Sequence, residues 1–125
     1  MRVDQSETIQ WSKLKSGDQY VINLVKYKVG NIVMPNAPST AFIDSGTSYA
    51  YMSTSQLKAI DRAITKLCEE GMYNCLGERV NQNCYKFKPS DNQTVKDFFL
   101  SYPIFNFVTQ EHGEIKWYAS EYFNK

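Results

Sequence analysis

Asp44 stands at the end of an apolar run, Ala41-Phe42-Ile43, and is followed by Ser45-Gly46-Thr47-Ser48. A carboxylate set among apolar side chains is costly, or changes its protonation, unless hydrogen bonds hold its oxygens. Ser45, Thr47 and Ser48 supply hydroxyls close by, and Gly46, lacking Cβ, lets backbone N–H groups approach. Such an arrangement suits a carboxyl group tuned for acid–base chemistry. The bland alternative is an Asp-initiated turn that closes a strand, because Asp and Ser bond their own backbone two residues on. Other residue types that do chemistry point elsewhere. Cys68, Cys75 and Cys84 have six and eight residues between them, without the Cys-x-x-Cys pairs and nearby His of a zinc site. His112 falls in Glu111-His112-Gly113-Glu114, which reads as a solvated turn.

The elements that would position Asp44 are β-rich. Gln19 to Val29 reads as a strand, with Val25, Tyr27 and Val29 on an inner face alternating with Lys26 and Lys28. Its first half, Tyr20 to Leu24, is apolar on both faces apart from Asn23 and predicts deeper burial. Gly30-Asn31 predicts a turn into Ile32-Val33-Met34, and residues 34–39, with two prolines, predict a loop. The segment containing Asp44 begins the next strand. Ser53-Thr54-Ser55-Gln56 fits a capping box, with Gln56 reaching back to the cap. Leu57, Ile60, Ile64 and Leu67 then recur at helical spacing, a core-facing stripe that ends before Gly71. Ile104, Asn106 and Val108 alternate after Pro103, and a turn at 111–114 leads back to Ile115 and Trp117.

The octet Ala41–Ser48 resembles the active-site signature of the pepsin-like eukaryotic aspartic proteases: two apolar residues, Asp, Ser or Thr, Gly, Thr, Ser. The order of the flanking segments is similar as well. Ile9-Gln10-Trp11, Tyr20–Leu24 and Tyr27–Gly30 precede the octet, and a helix, Cys84 and the Phe-x-x-Pro-containing run Phe99–Phe107 follow. The resemblance extends from about Ile9 to Phe123 and is to the C-terminal lobe. It implies an all-β fold with one short helix, part of a pepsin-like acid-protease β-barrel lobe. Residues 1–8 would be a leading segment and 9–125 a partial C-terminal lobe, with the first lobe and last strands absent. The apolar-apolar-Gly segment that normally supports such an Asp loop has no good counterpart, Cys75-Leu76-Gly77 being a poor substitute.

Function follows from the same resemblance. Asp44 would be one of two catalytic carboxylates, with Ser45, Gly46 and Thr47 orienting it and Phe42, Thr47 and Ser48 bordering the substrate. Ser45 matches the position whose hydroxyl ties the two catalytic loops together. The chain would belong to an aspartic-type endopeptidase acting on a peptide or protein at acidic pH, inactive alone because its N-terminal lobe and second Asp are missing. No metal or organic cofactor is implied. The family's pattern implies that Cys84 pairs beyond this sequence, leaving Cys68 with Cys75; Cys75 with Cys84 is the alternative, and a reduced chain a third. A secreted or lysosome-like or vacuole-like lumen is implied, and the Asn92-Gln93-Thr94 sequon is a candidate glycosylation site. Competing readings are a non-catalytic pepsin-fold inhibitor or binding module, a protease that dimerises with one Asp per chain, and an unrelated β-rich domain.

Composition bounds these choices. A length of 125 residues suits one domain, and nine Tyr and seven Phe favour strands. Fourteen basic against thirteen acidic residues, a net charge of +1, give no electrostatic case for nucleic acid or anionic membrane. No apolar run approaches the roughly 20 residues of a membrane span, and the first residues show no apolar signal-peptide core.

Overall fold

The computed structural model of the protein describes residues 20–44, 46, 49–81, 84–110 and 113–123. The expected Ile9-Gln10-Trp11 strand, Gln19 and His112 lie outside these residues. Strand β1 (Val21–Val29) is the spine of the fold. Along one edge it pairs antiparallel with β3 (Thr40–Phe42) through its first half and with β2 (Ile32–Val33) through its second. Along the other it pairs antiparallel with β6 (Phe105–Thr109), which pairs in turn with β7 (Glu114–Trp117). A separate hairpin joins β4 (Glu78–Asn81) to β5 (Cys84–Lys86).

The register of β1 against β6 shifts between Leu24 and Lys26, leaving Val25 as an extra residue. An inserted residue resets the two-residue alternation of a strand. Ile22 and Leu24 are therefore buried before the bulge and Tyr27 and Val29 after it, while Val25 is 59% exposed. The single inner face expected for Val25, Tyr27 and Val29 is corrected at Val25, and Tyr20 is likewise exposed rather than deeply buried. Gly30, at φ +58°, occupies the first of the two loop residues between β1 and β2, a conformation that glycine adopts without a Cβ clash. The leucine at 67 comes within 3.0 Å of where a Cβ on Gly30 would sit, so the position is closed to side chains from that direction too.

Helix α1 (Thr54–Glu69) lies over β1, its Ser53 hydroxyl accepting from the Gln56 amide at 3.3 Å. The buried stripe is Gln56, Ile60, Ala63, Ile64 and Leu67, whereas Leu57 is 47% exposed. The expected stripe is thus rotated by one residue at its start. The far end of the core is aromatic. Phe98, on the short helix α2 (Val95–Leu100), meets Phe87, Tyr102 and Phe123, and Tyr122, on α3 (Ala119–Tyr122), stacks on Phe105. Such ring pairs add about 0.5–1.5 kcal/mol beyond their buried area. Burial also pushes the Tyr102 and Tyr122 phenols above the ordinary tyrosine range, and Tyr122 donates to the Pro103 carbonyl at 2.7 Å.

The Phe99–Phe107 run divides between two elements. Thr94 and Asp97 form a reciprocal capping box that starts a helix, so strand pairing begins only at Phe105. The buried face of β6 carries Phe105 and Thr109 rather than Ile104, Asn106 and Val108. Cys68 and Cys75 form a disulfide that ties the C-terminal end of α1 to the loop after it, and Cys84 is an exposed free thiol on β5. Arg79 holds the β4–β5 hairpin to α1 through a two-pronged pair with Asp61, at 2.5 and 3.0 Å, and through the Thr65 hydroxyl at 2.9 Å. Leu67→Ala should therefore destabilise the fold by about 2–5 kcal/mol through the cavity it leaves. Leu57→Ala should stay within about 0.5 kcal/mol, as exposed substitutions do. Denaturant unfolding of the two variants checks the rotated stripe, and equal losses would contradict it.

Candidate active site

Asp44 is the second residue past β3. The pairing of β3 with β1 sets Val21 opposite Phe42, Ile22 opposite Ala41 and Asn23 opposite Thr40. Two further backbone bonds extend it, Leu24 N–H to the Ser39 carbonyl and Ile43 N–H to the Tyr20 carbonyl, each at 2.8 Å. The strand is thus fixed up to Ile43, and the chain turns immediately beyond. Gly46 N–H donates to Asp44 Oδ1 at 2.9 Å, closing a short side-chain-to-backbone turn. A Cβ on Gly46 would sit 3.3 Å from that same oxygen, so the absence of a side chain there gives the carboxylate its room. Asp44 thus stands at the junction of strand and turn, and its bond two residues on is the one that a plain Asp-initiated turn also makes.

Its surroundings differ from those that the apolar run suggested. Asp44 is exposed, and so are Phe42 (66%) and Ile43. Tyr49, Tyr51 and Met52, on the return to α1, are exposed too. The loop thus presents a carboxylate together with large apolar side chains, where the sequence alone suggested a carboxylate enclosed by them. A three-residue strand at the margin of a sheet has too little cover to bury its own tip. Ser45, Thr47 and Ser48 lie outside the described residues, so only Phe42, Asp44 and Gly46 of the expected site residues are placed.

At the start of α1, Gln56 has a role other than the expected cap. Gln56 is buried, and its side chain does not reach back to the helix cap. It accepts a short hydrogen bond from the Tyr27 hydroxyl and donates through Nε2 to the carbonyls of Pro35 (3.1 Å) and Asn36 (2.7 Å). A buried side-chain amide without partners is costly, and satisfying Gln56 at both of its ends outweighs a capping bond available at an exposed helix end. The signal was present in the spacing: Gln56, Ile60, Ala63, Ile64 and Leu67 share one helical face, with a polar residue at its head.

The remaining candidates lie away from Asp44. Cys75-Leu76-Gly77 is engaged elsewhere: the Cys75, Leu76 and Gly77 amides donate to the Ser101 carbonyl, the Ser101 hydroxyl and the Tyr102 hydroxyl, each at 3.0 Å. Asn92 is exposed in the turn before α2, two residues before the capping Thr94. Among the described residues no three His, Cys, Asp or Glu side chains gather as a metal site, and no helix is long and apolar enough to cross a membrane.

A family model described as eukaryotic aspartyl protease matches residues 3–112. The chain belongs to this family, and its mostly antiparallel β structure with a helix over β1 agrees with part of a pepsin-like lobe. The reading as an unrelated β-rich domain is thereby set aside. No curated protein and no solved structure gives a significant match.

Proposed function

We propose that Asp44 is one of the two carboxylates of an aspartic endopeptidase that hydrolyses peptide bonds at acidic pH. The observation that carries this is the match to the protease family, which spans the octet, and the strand-end carboxylate accepting from Gly46 N–H is compatible with it. Two carboxylates brought close together cannot both ionise cheaply, so the pair shares one proton in the acidic range. The ionised member takes a proton from a water between them, and the protonated member gives its own to the scissile carbonyl oxygen as the water adds. Gly46 N–H, with the Ser45 and Thr47 hydroxyls, orients Asp44; Phe42, Thr47 and Ser48 border the peptide. Retention of Asp44, Gly46 and Thr47 together favours this over a non-catalytic inhibitor or binding module.

The sequence contains a single Asp-Ser/Thr-Gly; we assign the second carboxylate to a companion lobe, since the lack of a good apolar-apolar-Gly counterpart speaks against a dimer with one Asp per chain. Residues 9–125 are accordingly read as part of the C-terminal lobe, preceded by a leading segment at 1–8, and the 125-residue chain alone as inactive. In the complete protein Asp44→Ala should lower kcat/KM for a peptide substrate at acidic pH by about 10²–10⁴-fold or more, since it removes one acid–base partner. Wild-type proteolysis by a folded Asp44→Ala protein would end the assignment.

We also infer that the protein is exported to a secretory or lysosome-like or vacuole-like compartment. The Cys68–Cys75 disulfide suits an oxidising environment, and the sequon asparagine is exposed. Expression through a eukaryotic secretory pathway should yield a glycoform that glycosidase treatment collapses and that Asn92→Gln lacks. Unchanged electrophoretic mobility of wild type after glycosidase would contradict glycosylation at this site.

A further inference from the structure

We propose that Gln56 is a positioning residue for the Asp44 carboxylate, acting through the two arms of the chain that carry it. Its significance for catalysis rests on the reading of Asp44 above; the positioning itself does not. Residues 37–52 form an excursion with Asp44 near its middle. The outgoing arm leaves from Pro35-Asn36, and the returning arm enters α1 at Ser53. Gln56 stands where the two arms meet. As part of α1 it moves with the returning arm, and through Nε2 it grips the backbone of the outgoing arm at two successive carbonyls.

Three features make this contact more than local packing. The amide side chain is buried, at 7% exposure, and has partners on both of its ends, so it has one satisfied orientation. Its acceptor end is held by Tyr27, on the β1 segment beyond the bulge, which links the base of the excursion to the central strand. Asn36, one of the gripped residues, sits at φ +54°, a left-handed conformation that Asn tolerates better than most residues. Releasing it frees the chain leading into β3. The tip, by contrast, is exposed at Phe42, Ile43, Asp44, Tyr49, Tyr51 and Met52. The place of a carboxylate on an exposed tip depends on how the base is held. The pairing with β1 fixes the outgoing arm up to Ile43, and Gln56 fixes the return relative to it.

The test is amide hydrogen exchange in the full chain. Gln56→Met keeps length and unbranched shape but removes every hydrogen bond of the side chain. It should speed exchange of the Gly46 amide, which Asp44 Oδ1 protects, by about tenfold, the loss expected for one or two buried hydrogen bonds. The Gly30 amide, which donates to the Ile104 carbonyl at 2.9 Å at the end of the β1–β6 ladder, should exchange as in wild type. Arg79→Ala, which cuts a separate tether of α1 at Asp61, should leave Gly46 unchanged even if it lowers the melting temperature. If Gln56→Met does not fold, Tyr27→Phe removes only the hydroxyl donor to Gln56, and a roughly threefold change at Gly46 is then expected. Wild-type exchange at Gly46 in whichever of these variants folds, or an equal acceleration in Arg79→Ala, would overturn the proposal. Exchange is read without substrate, so this failure is separable from failure of Asp44 as an acid, which would show as proteolysis surviving Asp44→Ala.

Discussion

The structure depends on β1 being paired along both edges while carrying an extra residue near its middle. The bulge between Leu24 and Lys26 divides the strand into two halves whose buried faces are out of phase. The first half gives one edge to β3 and so fixes the approach to Asp44. The second gives Tyr27 and Val29 to the core under α1. A regular strand would have had to keep one buried face throughout. The bulge lets the same nine residues serve a core at one end and the loop carrying the carboxylate at the other.

Around this spine the molecule is held unevenly. The end away from Asp44 is cross-linked several times over, by the Cys68–Cys75 disulfide, the Arg79–Asp61 pair, the capping box of α2 and the aromatic cluster about Phe98. At the other end, the excursion bearing Asp44 is fixed by a short strand pairing and by the Gln56 amide. Binding sites are commonly placed on loops carried by a rigid scaffold. Here Phe42, Ile43, Tyr49 and Tyr51, close to Asp44 along the chain, are all exposed.

Much of this was legible in the residues. Gly30-Asn31 marked its turn, the prolines at 35 and 38 marked the loop before β3, and Ile60, Ile64 and Leu67 marked the inner face of α1. The octet identified the carboxylate and its glycine, because their chemistry is local. What escaped depended on partners distant in sequence. Val25 fits an alternating strand perfectly well by itself, and only the register against β6 shows it to be the bulged residue. Gln56 looks like half of a capping box until the carbonyls of Pro35 and Asn36 arrive beside it. Thr94-x-x-Asp97 was a capping signal in plain view, masked by the apolar Phe98-Phe99-Leu100 that follows and that also suits a strand.

The central claim is that Asp44 works as half of a carboxylate pair sharing one proton. The most direct measurement is kcat/KM against pH for a single peptide bond, made on the complete protein. Two coupled carboxylates predict a bell-shaped profile confined to the acidic range, falling on the acid side as the pair becomes doubly protonated and on the alkaline side as it becomes doubly ionised. A rate that rises through neutrality to an alkaline plateau would contradict the account, because neither limb would then belong to a carboxylate.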